Sequence, residues 1–179
     1  MTEIVWIYGS SASGKETFIR RFLENPPKEM SDHLWWSDKK IVCIEESLKY
    51  IGKFENDPIV EKRKEIIEKA KKLAKKSNLV ILIKGQNVDL QSKLLDEVHN
   101  EVPNAKHKIV FLHADVWILF ERCKKKIRWT HYDEQEGIEG FKRHIMHQIH
   151  AFQKIEGFEM IAIDSSTPNY KPIKFPPKI

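Results

Sequence analysis

Residues 9–17 read GSSASGKET: two glycines with four residues between them, then a lysine, a glutamate and a threonine. Gly9 and Gly14 permit backbone angles that side chains forbid, so the amides of Ser10, Ser11, Ala12 and Ser13 can turn inward around an anion. Gly9, four residues, then Gly14-Lys15 is the spacing of a phosphate-binding loop. Lys15 would bring a mobile positive charge to the β and γ phosphates, and a helix beginning there would add its positive end. A hydroxyl that ligates Mg²⁺ commonly follows the lysine, but this chain has Glu16 there and Thr17 one place later. Two metal ligands are therefore open, Thr17 or Glu16, the acid acting directly or through water. A carboxylate facing a triphosphate with no intervening cation would be repelled. The plainer reading of Glu16 is an acid favourably placed in a first helical turn.

Such a loop needs a strand before it and a helix after it, and the flanking sequence supplies both. Residues 4–8, IVWIY, are a continuous apolar run, and 17–25 carry Phe18, Ile19, Phe22 and Leu23 on one helical stripe that stops at Pro26-Pro27. Further apolar runs at 41–44, 79–83, 109–113 and 159–163 read as strands. Helical patterns cover 58–76, 89–102, 116–127 and 141–155, the first of these opened by Asp57-Pro58. Strands that are apolar throughout need both faces covered, and parallel strands need crossovers. The pattern predicts an α/β fold, a five-stranded parallel sheet flanked by helices in a single domain over 1–179. A polar, glycine-containing segment at 129–140 interrupts the alternation, and the tail from Pro168 is extended and proline-punctuated.

At 179 residues and 41% hydrophobic content the chain can bury one sizeable core. The apolar runs are far shorter than the roughly 18 residues of a membrane span. MTEIVWIYG lacks the basic start of a signal peptide, so a cytoplasmic protein is expected. Two cysteines, Cys43 and Cys123, with no pairing framework, fit a reducing compartment and argue against a zinc site. A net charge of +5 favours anionic ligands without choosing among them. His144, His147 and His150 fall mostly on the polar side of a helix whose buried stripe is Phe141, Ile145, Ile149 and Phe152, which disfavours a metal site. Of the adjacent Trp35 and Trp36, anchoring a loop to the core is the expected use.

Gly14-Lys15-Glu16-Thr17 resembles the G-K-G-T ending of the loop in adenylate kinase and its nucleoside monophosphate kinase relatives. The resemblance implies the P-loop NTPase fold, with Thr17 contacting phosphate and Glu16 in the place of a glycine. KIVFLHADVWILFERCKKKIRW, at 108–129, looks like the region of small P-loop kinases in which the fourth strand leads into a helix ending in basic residues beneath a lid. That implies a lid at approximately 124–140, Arg122 against the nucleotide base, and Lys126 and Arg128 screening the transferring phosphoryl group. Lys126 departs from the family preference for arginine. Shikimate and gluconate kinase relatives use an acid near the end of the second strand, which points to Glu45, within IVCIEES, as a metal-side or acceptor-side carboxylate. Lys84 stands where many P-loop proteins place a metal-orienting Asp, and would serve an anionic substrate. Arg63 breaks the inward stripe of its helix, and the resemblance makes it an acceptor clamp.

The reading that results is an ATP-dependent kinase using Mg²⁺ and passing the γ-phosphoryl group to a small acceptor, a nucleotide among the candidates. The loop residues 9–17 and Arg122 would bind the nucleotide, Arg63 and Lys84 the acceptor, and Lys15, Arg128 and Glu45 would carry catalysis. The alternative is a nucleotide-binding protein without transferase activity. A monomer acting on small molecules is expected. A nucleic-acid acceptor is not favoured, because the basic runs lack interleaved aromatics.

Overall fold

The computed structural model describes residues 1–44, 58–85, 93–125 and 137–179, with 58–62 described by their backbone. In chain order the elements are β1 (Glu3–Gly9), α1 (Lys15–Glu24), α2 (Lys28–His33), β2 (Lys40–Ile44), α3 (Pro58–Ala74), β3 (Leu79–Lys84), α4 (Leu94–Glu101), β4 (Lys106–His113), α5 (Val116–Lys124), α6 (Gly137–Gln153), β5 (Glu159–Asp164) and β6 (Lys171–Ile173). Among the described residues the sheet has six strands in the order β2-β3-β1-β4-β5-β6. The first five are parallel, and β6 runs antiparallel to β5.

The sixth strand is one more than the sequence suggested. Its three residues pair Ile173, Pro172 and Lys171 with Ala162, Ile163 and Asp164. Proline is tolerated there because β6 is an edge strand, where a missing N–H need not break a ladder. The expected start at Asp57 and the first part of the helix expected over 89–102 lie outside the described residues, as does the end of the helix expected over 116–127.

β1 is buried along its whole length because it lies between β3 and β4. Its side chains alternate between two apolar layers. Ile4, Trp6 and Tyr8 pack with Ile66 of α3, Leu94 and Val98 of α4, Leu119 of α5, and Phe141 and Phe152 of α6. Val5 and Ile7 pack on the opposite face with Phe18 and Phe22 of α1, Met30 of α2, and Trp36. Each such side chain contributes about 1.5–3 kcal/mol when fully buried, so both faces hold β1 in register. Trp36 is buried while Trp35 is exposed. Cys43 and Cys123 form no disulfide and lie at the edges of the two layers.

The amino edge of the sheet is held by a buried charge cluster. Glu3 of β1 accepts from Lys39 and, at 3.0 Å, from Lys108 of β4; the side chains of Lys108 and Glu3 are 4% and 6% exposed. Trp36 Nε1 donates to the same carboxylate at 3.4 Å. Burial pushes the Glu3 carboxyl upward, but the hydrogen bonds and charges of Lys39 and Lys108 outweigh it, and its pKa lies below the ordinary 4.5. At the opposite, carboxyl edge, β1 ends at Gly9, β3 at Lys84, β4 at His113 and β5 at Asp164. The chain order turns back on itself across β1, and that edge is where open parallel sheets bind ligands.

Removing the acid would leave the buried Lys108 ammonium with the half-exposed Glu159 carboxylate at 3.9 Å in place of its 3.0 Å partner. Glu3→Ala is expected to destabilise the fold by about 3–5 kcal/mol at neutral pH, measured by denaturant unfolding. Because the folded-state pKa is depressed, the stabilisation from Glu3 is fully present above 4.5 and is lost as pH falls through the lower folded value. Glu3→Gln should flatten the stability profile in that acid window, and an unaltered profile would show that Glu3 carries no such linkage.

Candidate functional site

The loop between β1 and α1 starts from a close contact. A side chain at Gly9 would place its Cβ 2.4 Å from the Leu112 carbonyl and 2.4 Å from Ser13 Oγ, so only glycine lets β1 turn here. Ser10 N then donates to Leu112 O at 3.1 Å, and Ser13 N donates back to Ser10 O at 3.0 Å. Ala12 and Gly14 are both left-handed, at φ 62° and 85°. For Ala12 that conformation costs about 1–2 kcal/mol relative to a right-handed one, so surrounding contacts must hold it. α1 begins with no side-chain cap, which leaves its first amides available to a ligand.

Residues 12–17 line a cavity of about 680 Å³. Its other walls are Arg21 of α1, Lys84 of β3, Arg122 and Lys125 at the end of α5, and the turn 165–168 after β5, with Tyr170 beyond it. Among the described residues, five cations therefore line the cavity with one carboxylate, Glu16. Lys15 Nζ donates to Gly9 O at 3.4 Å, which folds the lysine over its own loop. Arg122 donates to Ser165 O at 3.0 Å, so its guanidinium is fixed to the turn at the far wall. Burial raises the Tyr170 hydroxyl pKa against the opposing pull of Arg21 and Arg122.

The sequence-predicted residues divide into three groups. Ala12, Ser13, Gly14, Lys15, Glu16, Thr17, Lys84 and Arg122 come together around the cavity. Gly9, Ser10 and Ser11 form the back of the loop, with their polar groups turned into the protein. Arg63 lies elsewhere, ion-paired with Glu97 between α3 and α4. Glu45, Glu46, Lys126 and Arg128 lie outside the described residues, as does 126–136, most of the expected lid.

Several site residues escaped sequence reasoning. Ser10 Oγ and His113 Nδ1 are 2.7 Å apart and buried. Burial lowers the His113 pKa, against weaker upward pulls from the Lys178 backbone, Asp164 and Asp115, which favours the neutral ring. Ser165 Oγ lies 2.7 Å from Ser13 O and 3.1 Å from His113 O, tying the loop, β4 and the turn after β5 at one point. Gln148 of α6 clasps Ser11, accepting from its amide at 3.0 Å and donating to its hydroxyl at 3.1 Å, and His144 Nε2 lies 3.1 Å from the same hydroxyl. Two signals were available. The small polar run Ser165-Ser166-Thr167 follows an apolar strand at the ligand edge, and Gln148 is a polar residue one turn beyond Ile145 on a buried stripe.

The donor set was tested against Mg²⁺, which takes octahedral oxygen and keeps several waters. The oxygens expected to hold it are the Thr17 hydroxyl and the Glu16 carboxylate, but Glu16 is ion-paired with Lys84 Nζ. An ammonium beside the carboxylate repels a dication, by about 4 kcal/mol per unit charge product at 4 Å near a protein surface. Among the described residues no three His, Cys, Asp or Glu gather as a metal site. The Glu16 carboxylate beside Lys84 does not fit a direct Mg²⁺ ligand, which leaves the Thr17 hydroxyl on the cavity wall as the loop oxygen that could hold the ion.

The Gln148 clasp has a measurable weight. Gln148→Leu leaves the Ser11 amide without its acceptor, and a loss of about 1–3 kcal/mol in unfolding free energy is expected. Unchanged stability would show that water replaces the clasp.

No family model and no curated protein matches the chain. Solved structures do. A protein of Chloroflexus aurantiacus assigned as a kinase is 14% identical, with 93% of this chain and 87% of that one covered and a TM-score of 0.51. Shikimate kinase from Aquifex aeolicus is 17% identical over 93% and 88% of the two chains at a TM-score of 0.46. Deoxyadenosine kinase from M. mycoides with bound dATP is 14% identical over 92% of each chain at 0.40. At these identities the likeness is one of fold alone, a mostly parallel sheet flanked by helices of the P-loop kind.

Proposed function

We propose that the protein is a nucleotide-dependent kinase that transfers the γ-phosphoryl group of ATP to a small acceptor. One observation carries this reading: the uncapped start of α1, the left-handed turns at Ala12 and Gly14, and Lys15 all open on a cavity walled by five cations. A polyphosphate is the ligand that such a wall neutralises.

In the transfer, an acceptor oxygen attacks the γ phosphorus while the bond to the β–γ bridging oxygen breaks, giving a phosphorylated acceptor and ADP. This step needs little covalent help from the protein, so positioning and charge dominate. The amides at the start of α1 and Lys15 hold the β and γ phosphates. Arg122, which donates to the Ser165 carbonyl, would meet the base end of the nucleotide in this reading, and Lys125 lies on the same wall. Mg²⁺, where it accompanies ATP, would supply charge to the phosphate oxygens. Glu45 as the acceptor-side carboxylate, and Arg128 within a lid at 124–140, complete the reading. A second cavity, of about 470 Å³, lies across Glu16 and Lys84 from the first and is lined by Arg20, Glu24 and Cys43 as well; it is the proposed acceptor side.

A nucleotide-binding protein without transferase activity is the second reading, favoured by Lys84 and Glu16 standing where metal-holding groups would be. ADP formation with a panel of sugars, nucleosides, nucleotides and hydroxy acids separates the two. Acceptor-dependent turnover supports transfer, and binding without turnover supports the alternative.

Two substitutions test the donor site. Lys15→Ala should abolish or greatly weaken transfer and leave the thermal transition unchanged, since the side chain packs in no core layer. Normal activity in a folded Lys15→Ala protein would sink the mechanism. Thr17→Ala removes a hydrogen bond to a charged oxygen and should weaken nucleotide binding or transfer by about 1.5–3 kcal/mol, read by calorimetry and by kcat/KM.

A further inference from the structure

Glu16 and Lys84 form a charge-reversed pair. The loop position expected to present a metal-holding hydroxyl carries an acid, and the end of β3, where a metal-orienting acid would stand, carries an ammonium. Both side chains line the nucleotide cavity.

The two partners are held very differently. Lys84 is in register with Ile7 of β1, and the next residue is locked in place: Gly85 N donates to Ile7 O at 3.0 Å, and a Cβ on Gly85 would fall 2.3 Å from the Tyr8 ring. The lysine side chain is 21% exposed, whereas the Glu16 side chain is 81% exposed on the first turn of α1. A pair with one partner in water contributes little. An ammonium bound to phosphate makes a stronger, charge-assisted contact. An arriving polyphosphate can therefore take Lys84 from Glu16, and the carboxylate can turn out to solvent.

We propose that the Lys84 ammonium stands in for the divalent cation at the donor phosphates, so that the site binds a metal-free nucleoside triphosphate at least as tightly as its Mg²⁺ complex. This rests on the nucleotide-site reading above. The charge balance agrees with it. Among the described residues, Lys15, Arg21, Lys84, Arg122 and Lys125 line the cavity with one carboxylate, Glu16. A triphosphate without metal carries about two more negative charges than its Mg²⁺ complex and gains more from such a wall. A dication would instead lie beside a fixed ammonium.

The test is calorimetric titration of the full chain with the β,γ-methylene analogue of ATP, in EDTA and in excess Mg²⁺. Wild type should bind in EDTA as tightly as in Mg²⁺, or more tightly. Lys84→Met should lose roughly tenfold or more of its affinity in EDTA and much less in Mg²⁺. Glu16→Gln should bind the metal-free analogue more tightly, because a competing anion has gone. Glu16→Thr combined with Lys84→Asp should make binding Mg²⁺-dependent. Thermal unfolding of each variant checks its fold, and Glu16→Gln keeps the comparison decisive if Lys84→Met fails to fold. Wild-type binding at least tenfold tighter in Mg²⁺, or a folded Lys84→Met with full affinity in EDTA, overturns the inference and leaves the nucleotide site standing. No binding by folded wild type in either condition overturns the nucleotide-site reading and this inference with it.

Discussion

At the carboxyl end of β1 the backbone of Gly9 passes so close to the Leu112 carbonyl that no Cβ fits between them, and the cavity depends on that contact. It sends the chain back across the sheet edge and fixes where α1 begins. The Ser10 hydroxyl then reaches His113, and the Ser13 carbonyl faces Ser165. Ala12 can hold a left-handed backbone because these neighbours determine the turn around it. Even a methyl group at Gly9 would push the loop off β4, and the donors that face the ligand would lose their common centre.

Charge is divided between the two edges of the sheet. At the amino edge, Glu3 is buried between Lys39 and Lys108, and that cluster serves the fold. Around the cavity at the carboxyl edge, the cations among the described residues outnumber the acids, five to one. An excess of like charge in a cleft raises the energy of the empty protein and is relieved by a ligand of opposite sign. Charge at the amino edge is thus buried in ion pairs, whereas the described charges of the carboxyl edge line an open cavity.

The fold was legible because β1, β3 and β4 are continuous apolar runs separated by stripes of helical period. β6 was not, since three residues including a proline carry no periodicity, and only pairing with β5 makes them a strand. The loop was legible from two glycines and a lysine at fixed spacing. Its supports were harder to see: His113, Gln148 and Ser165 reach it from distant parts of the chain, and no local pattern records such approaches. Arg63 shows the converse limit. A charge on an apolar stripe can face a cleft or find an acid on the next helix, and Glu97 is that acid.

The bond from Ser165 to the Ser13 carbonyl joins positions 152 apart in sequence. Contacts of that separation carry the loop-closure cost of nearly the whole intervening chain and belong to slow, non-local folding. During synthesis the phosphate loop leaves the ribosome early, yet its far wall and its anchor from β5 are made only after β5 has been translated. Gly9 meets the Leu112 carbonyl once β4 has been made, whereas the Ser13 carbonyl, next to the left-handed Gly14, waits for Ser165. The finished geometry of the loop therefore belongs to the completed sheet, and a nascent chain bearing the whole motif would still lack it.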